Sequence, residues 1–141
     1  MTLQEHYRVS VTNALAGFQL VEESLKGYLG LYYQSIRHLL SGRLHFDFHR
    51  ADINEAPLGR LVGSFSKSCA NALLVARLRS LIKHRDTTAH KALVCLYESA
   101  TTDEQYHDMI KANHRMSDET REVLIALSEE VAAMRKSTFD G

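Results

Sequence analysis

A single proline in 141 residues removes the strongest helix breaker from almost the whole chain, and seven glycines add few further interruptions. Cysteine is equally scarce. Cys69 and Cys95 stand far apart, and the opening Met1-Thr2-Leu3-Gln4-Glu5-His6 is polar, with no apolar signal core. The expected setting is therefore a reducing cytoplasm, not a disulfide framework. An excess of charge of one sign is also missing, since seventeen Lys and Arg balance seventeen Asp and Glu. No net field draws a polyanion from a distance, so any nucleic-acid binding requires a local patch. No apolar run approaches the roughly 20 residues that cross a bilayer, and the basic residues form no amphipathic membrane face.

What is present fits one soluble domain. Apolar residues make up 45% and charged residues 24%, and a chain of this length buries roughly two-thirds of its unfolded surface in one core. Val11, Phe18, Leu25, Tyr32 and Leu39 recur every seven residues, with Leu15, Val21, Leu29 and Ile36 between them. That period predicts a helix over residues 3–40. Ser41-Gly42 stops it, Gly27 and Gly30 permit a bend, and the small residues let a neighbouring helix approach. Residues 43–56 read as an irregular connector, and Pro57 suits the first turn of a short helix through Leu58, Leu61, Val62 and Phe65. A longer helix is expected over residues 69–98. It has Leu74, Leu78, Leu81 and Ile82 on one side and then Leu93, Val94, Leu96 and Tyr97. Thr101 with Glu104, and Ser117 with Asp118 and Glu119, each predict a helix start. The last helix buries Val123 or Leu124, then Leu127, Val131 and Met134. Four or five helices on short connections predict an all-α, antiparallel bundle forming a single domain over the whole chain.

The apolar pattern breaks between Arg77 and Lys91. This stretch holds five Arg or Lys, two histidines and one acid. A run of charge is most often a solvated helix face. Here, however, the order of residues carries more. Arg85-Asp86-Thr87-Thr88-Ala89-His90 resembles the Arg, polar residue, three residues, His signature of the HEPN family (higher eukaryotes and prokaryotes nucleotide-binding). The segment Phe18-Gln19-Leu20-Val21-Glu22-Glu23-Ser24-Leu25-Lys26-Gly27-Tyr28-Leu29 is similar to the opening helix of such domains. Pro57-Leu58-Gly59-Arg60-Leu61-Val62 is similar to the segment before their motif helix. The resemblance covers about residues 11–96 and implies a helical bundle that homodimerises. In catalytic members it implies a metal-independent ribonuclease whose Arg and His from both protomers share one cleft. It assigns Arg85 and His90 to the motif and Asp86 to the polar position, where Asn is commoner. It also implies toxin or phage-defence roles, with an antitoxin protein as a partner.

The chemistry has its own rationale. RNA carries its nucleophile, the 2′-hydroxyl, so cleavage needs a base working near neutrality and a cation for the charge that develops on phosphorus. Imidazole supplies the first and guanidinium the second. Asp86 is placed to orient either group by hydrogen bonding. Lys83, His84 and Lys91 adjoin the motif as candidate substrate-phosphate contacts. Residues five apart on a helix are about 140° apart in direction and about 7.5 Å along the axis. Arg85 and His90 therefore share no stripe, and a twofold-related copy must bring the two groups together. No metal or cofactor is expected.

Other clusters carry less. His45 and His49 have a spacing that on a helix would offer two metal ligands, but no third ligand is well spaced. Cys69 and Cys95 read as small packed residues. Glu22 is a possible partner for the motif helix, and His107 and His114 receive no role. There is no phosphate-binding Gly loop and no Ser-centred elbow. The competing reading is a non-catalytic helical dimerisation module that binds a nucleotide or a protein.

Overall fold

Thr2 opens the chain's first helix by a reciprocal cap. Its hydroxyl accepts from the Glu5 N–H at 3.2 Å, and the Glu5 carboxylate accepts from the Thr2 N–H at 2.7 Å. In the computed structural model, which describes residues 1–40, 42–97 and 101–139, this helix (α1) spans Leu3–Leu39. It is followed by α2 (Arg50–Asn54), α3 (Leu58–Ser68), α4 (Ala72–Tyr97) and α5 (Asp103–Thr138). No strand occurs among the described residues, so the class is all-α with five helices. None of the described helices is long and apolar enough to cross a membrane.

The core is built from the residues whose spacing announced it. Phe18, Val21, Leu25 and Leu29 of α1 meet Leu61 and Phe65 of α3, Leu74, Leu78 and Leu81 of α4, and Val123 and Leu127 of α5 in one buried cluster. Each such side chain contributes about 1.5–3 kcal/mol by leaving water. Phe65 is completely enclosed, with the Tyr28 ring edge-on at 4.8 Å. The ends of the predicted stripes depart from this. Leu39 is 70% exposed and Leu15 lies at the surface, while Ala14 and Tyr28 are buried in their stead. A 3.6-residue helix drifts relative to a strict sevenfold repeat, so the buried stripe of a 37-residue helix slides off the heptad positions.

The topology is only partly the antiparallel bundle expected. Gln4 bonds Tyr106, Tyr7 packs on Tyr106, Ser10 bonds Asn113, and His38 lies against Phe139. Residue numbers rise together along both helices, so α1 and α5 run parallel. Helix α4 runs against α5, because Asn71 meets Glu130 at one end and Cys95 meets Met109 at the other. Short linkers between neighbours favour antiparallel pairs, but α1 and α5 are joined through three intervening helices and are free of that constraint.

Several boundaries also move. Ser117 does not begin a helix: α5 runs through it, held to α1 by Tyr106 and Asn113 upstream and by Thr120 downstream, all buried. The cap that does form is Thr102 with Gln105, one residue after Thr101 and Glu104. Cys69 ends α3, and α4 starts after Asn71, whose side chain accepts from the Leu74 N–H at 3.1 Å. Pro57 stands at the N-cap of α3 and not in its first turn. The connector contains α2, a single turn that buries Ile53. Helix α1 passes unbroken through Gly27 and Gly30, and Gly30 is covered by the Arg50 guanidinium, whose Cζ would lie 2.9 Å from an added Cβ. Helix α1 ends at Leu39, with Leu40 as its C-cap, just before the expected Ser41-Gly42 stop. Ser41, residues 98–100, where the sequence predicts the end of the long fourth helix, and the last two residues lie outside the described residues.

Candidate functional site

All six site residues read from the sequence lie on α4, and the helix divides them between two sides. Arg85 is half-buried. Its Nη2 and Nε donate to Asp86 Oδ1 at 3.1 and 3.3 Å, so the motif's cation is held by the residue next to it. His90 and Lys83 are exposed. Asp86, Ala89, His90 and Leu93 recur at helical spacing and form one face. Leu93 was expected on the buried side of α4, but it is 59% exposed beside this acid and imidazole. The side chains of Leu96 and Tyr97 lie outside the described residues.

The other side of α4 faces α5 across a groove of about 530 Å³, lined by His84, Thr87, Thr88 and Lys91 of α4 and by Met109, Asn113, Arg115 and Met116 of α5, with Tyr7 below. Tyr7 is buried, which, with Cys95 nearby, pushes its phenol up to about 12, so it remains neutral at physiological pH. Asn113 donates to Ser10 Oγ at 3.0 Å and ties the base of the groove to α1. Arg85 and His90 do not line this groove. Arg115 does. Sequence reasoning passed over it because it lies on another helix, beside the false start at Ser117.

Arg77, at the head of the basic stretch, is already engaged. Its Nε and Nη2 donate to Glu119 and Glu122, both at 2.7 Å, and link α4 to α5. The Arg77 guanidinium holds the Glu119 carboxyl below its usual range, and His84 acts in the same direction. A depressed folded-state value means that the pair's stabilisation is fully present above the ordinary carboxyl value of 4.5 and is lost as pH falls through the lower folded value. Glu119→Gln is therefore expected to cost about 1 kcal/mol at neutral pH, a partly exposed charged bond being discounted for screening. It should also flatten the acid limb of stability measured by urea unfolding. An unchanged acid limb would remove this assignment.

The remaining candidates do not gather into a site. His45 and His49 lie in an extended segment before α2, not on a helix face, and no group of three potential ligands that could hold a metal occurs among the described residues. Glu22 makes no ion pair among the described residues, whereas Glu23 pairs with Lys26 at 3.2 Å. Both cysteines are free and half-buried. Burial pushes the Cys69 thiol up, away from nucleophilic use.

Comparison with known proteins gives no relative: no family model matches the chain, and no curated protein and no solved structure matches it. The functional argument therefore rests on α4 and what surrounds it.

Proposed function

We propose that the chain is a metal-independent endoribonuclease of the HEPN type that works as a homodimer. The observation that carries this reading is that α4 offers solvent a guanidinium and an imidazole, Arg85 and His90, on a stretch where neither is enclosed by its own bundle. Exposed Leu93 with Ala89 gives the same region an apolar seam for a second copy. In the reaction, His90 of one protomer takes the proton of a 2′-hydroxyl, and the freed oxygen attacks the adjacent phosphorus. Arg85 of the partner subunit faces the equatorial oxygens as charge builds on them. As the P–O bond breaks, the 5′-oxygen leaves with the proton that His90 had taken, and the products are a 2′,3′-cyclic phosphate and a 5′-hydroxyl. An activity of this kind fits a toxin or phage-defence component restrained by an antitoxin protein.

The test compares wild type with Arg85→Ala and His90→Ala on total RNA, beside light scattering for the dimer. A monomeric protein, or equal cleavage by all three, ends the proposal.

One observation favours a second reading, a non-catalytic dimerisation module that binds a nucleotide or a protein. Asp86 already occupies the Arg85 guanidinium. The two readings part on Asp86→Asn. In a nuclease, removing this competing carboxylate frees Arg85 for phosphate, and an exposed ion pair of this kind is worth about 0–1 kcal/mol. KM is expected to fall by up to about fivefold while kcat stays within about twofold. A large drop in kcat with KM unchanged would contradict this competing role and would instead make Asp86 a positioning residue for Arg85.

A further inference from the structure

Two cationic side chains and an imidazole line the α4–α5 groove. His84 and Lys91 project from α4 and Arg115 from α5, and no carboxylate lines the groove. None of the three makes an ion pair among the described residues. In a chain with no net charge, this is a local concentration of positive charge, and two of the acids nearby are committed to Arg77. Glu119 and Glu122, which share an adjoining hollow with His84 and Arg115, are both taken by Arg77. Asp118 of the same hollow lies 3.9 Å from Arg121. On the far side, Asp108 shares a separate hollow with Lys91.

We infer that the α4–α5 groove binds the phosphate backbone of single-stranded RNA, through Lys91 and Arg115 on opposite walls with His84 beside them. This inference rests on the ribonuclease reading for its choice of nucleic acid and extends it to a surface that the motif does not include. His84 and Lys91 are seven residues apart, hence nearly aligned on α4 and about 10.5 Å apart along its axis. That span is too long for both to grip one phosphate, so the groove suits a chain of phosphates and not a single small anion. Met109, Ala112 and Met116 give it an apolar wall against which unstacked bases can lie. An RNA duplex keeps its bases stacked inside the helix and cannot lay them on this wall, so the groove suits a single strand.

The experiment uses His90→Ala protein, so that the RNA stays intact, and a fluorescently labelled single-stranded RNA as the probe. Lys91→Gln with Arg115→Gln in this background is expected to weaken binding about tenfold or more. It should also reduce the slope of log K against log salt by about 1.4, two contacts at roughly 0.7 each. Arg60→Gln with Lys67→Gln, exposed on α3, removes the same charge elsewhere and should leave the affinity within about twofold. Equal losses from the two pairs would mean that only net charge is sensed, and the groove assignment is overturned. It is overturned too if the His90→Ala protein binds no RNA, or binds a duplex of the same length more tightly. The outcomes stay separate from those of the nuclease proposal. Tight, groove-dependent binding without cleavage by wild type would leave the groove standing and remove the nuclease. Cleavage by wild type with no dependence on Lys91 and Arg115 would do the reverse.

Discussion

Replacing His90 with alanine is expected to lower RNA cleavage by about 10²- to 10⁴-fold, the usual contribution of a positioned acid or base. Arg85→Ala should cost about 10²- to 10³-fold, the effect of removing one preorganised donor from the developing phosphorane charge. The two losses should not multiply, because a base and a charge stabiliser acting in one transition state fail together. The geometry of α4 makes a sharper demand. Arg85 and His90 point about 140° apart on the helix, so a working site takes one group from each protomer. Mixing Arg85→Ala chains with His90→Ala chains should then restore cleavage to about a quarter of the wild-type level. About half the dimers are mixed, and each mixed dimer keeps one intact site of two. No recovery on mixing, with dimer exchange verified, would sink the composite site even if each single variant is inactive.

Much of this frame can be read from the sequence, and the exceptions share a cause. Phe18, Val21, Leu25 and Leu29 are buried as their spacing requires, as are Leu74, Leu78, Leu81, Val123 and Leu127. Apolar period records which face of a helix turns inward whatever covers that face. Ser117 with its two following acids looks like a helix start and is not one. A local cap signal competes with tertiary burial, and buried Asn113 and Thr120 on either side carry α5 through. The one-turn α2 has no period to detect. On α4 the sequence indicates which residue types could do phosphate chemistry, and all six fall on one helix as read. It gives no sign that Arg77 is spent on two glutamates, that Asp86 holds Arg85, or that Arg115 arrives from α5 to face Lys91. Those facts depend on which helices become neighbours, and the parallel pairing of α1 with α5 is the least local of them.

That pairing can be tested at one glycine. Ser10 bonds Asn113 across the two helices at a separation of 103 residues. Gly17 faces Thr120 at the same offset, two turns further along. Here the backbones come close: a Cβ on Gly17 would lie 2.5 Å from Thr120 Oγ1 and 3.2 Å from its Cβ. Thr120 is buried, and its hydroxyl donates to the Ser117 carbonyl at 2.9 Å, so it cannot turn aside without giving up that bond. Gly17→Val is therefore expected to destabilise the fold by about 3 kcal/mol, the upper part of the range for overpacking. The gain in helix propensity from removing a glycine is only a few tenths of that. Gly17→Ala should cost less, since it adds one carbon and gains about 1 kcal/mol in propensity. Thr120→Ala combined with Gly17→Val clears the obstructing Oγ1 and Cγ2, so the double variant should be more stable than the sum of the two single losses by about 1 kcal/mol or more. Urea midpoints at constant m-value measure all four proteins. A valine tolerated without loss at position 17, or losses that simply add, would mean that α1 and α5 do not meet in this register. The base of the α4–α5 groove, fixed to α1 through Ser10 and Asn113, would then have to be redrawn as well.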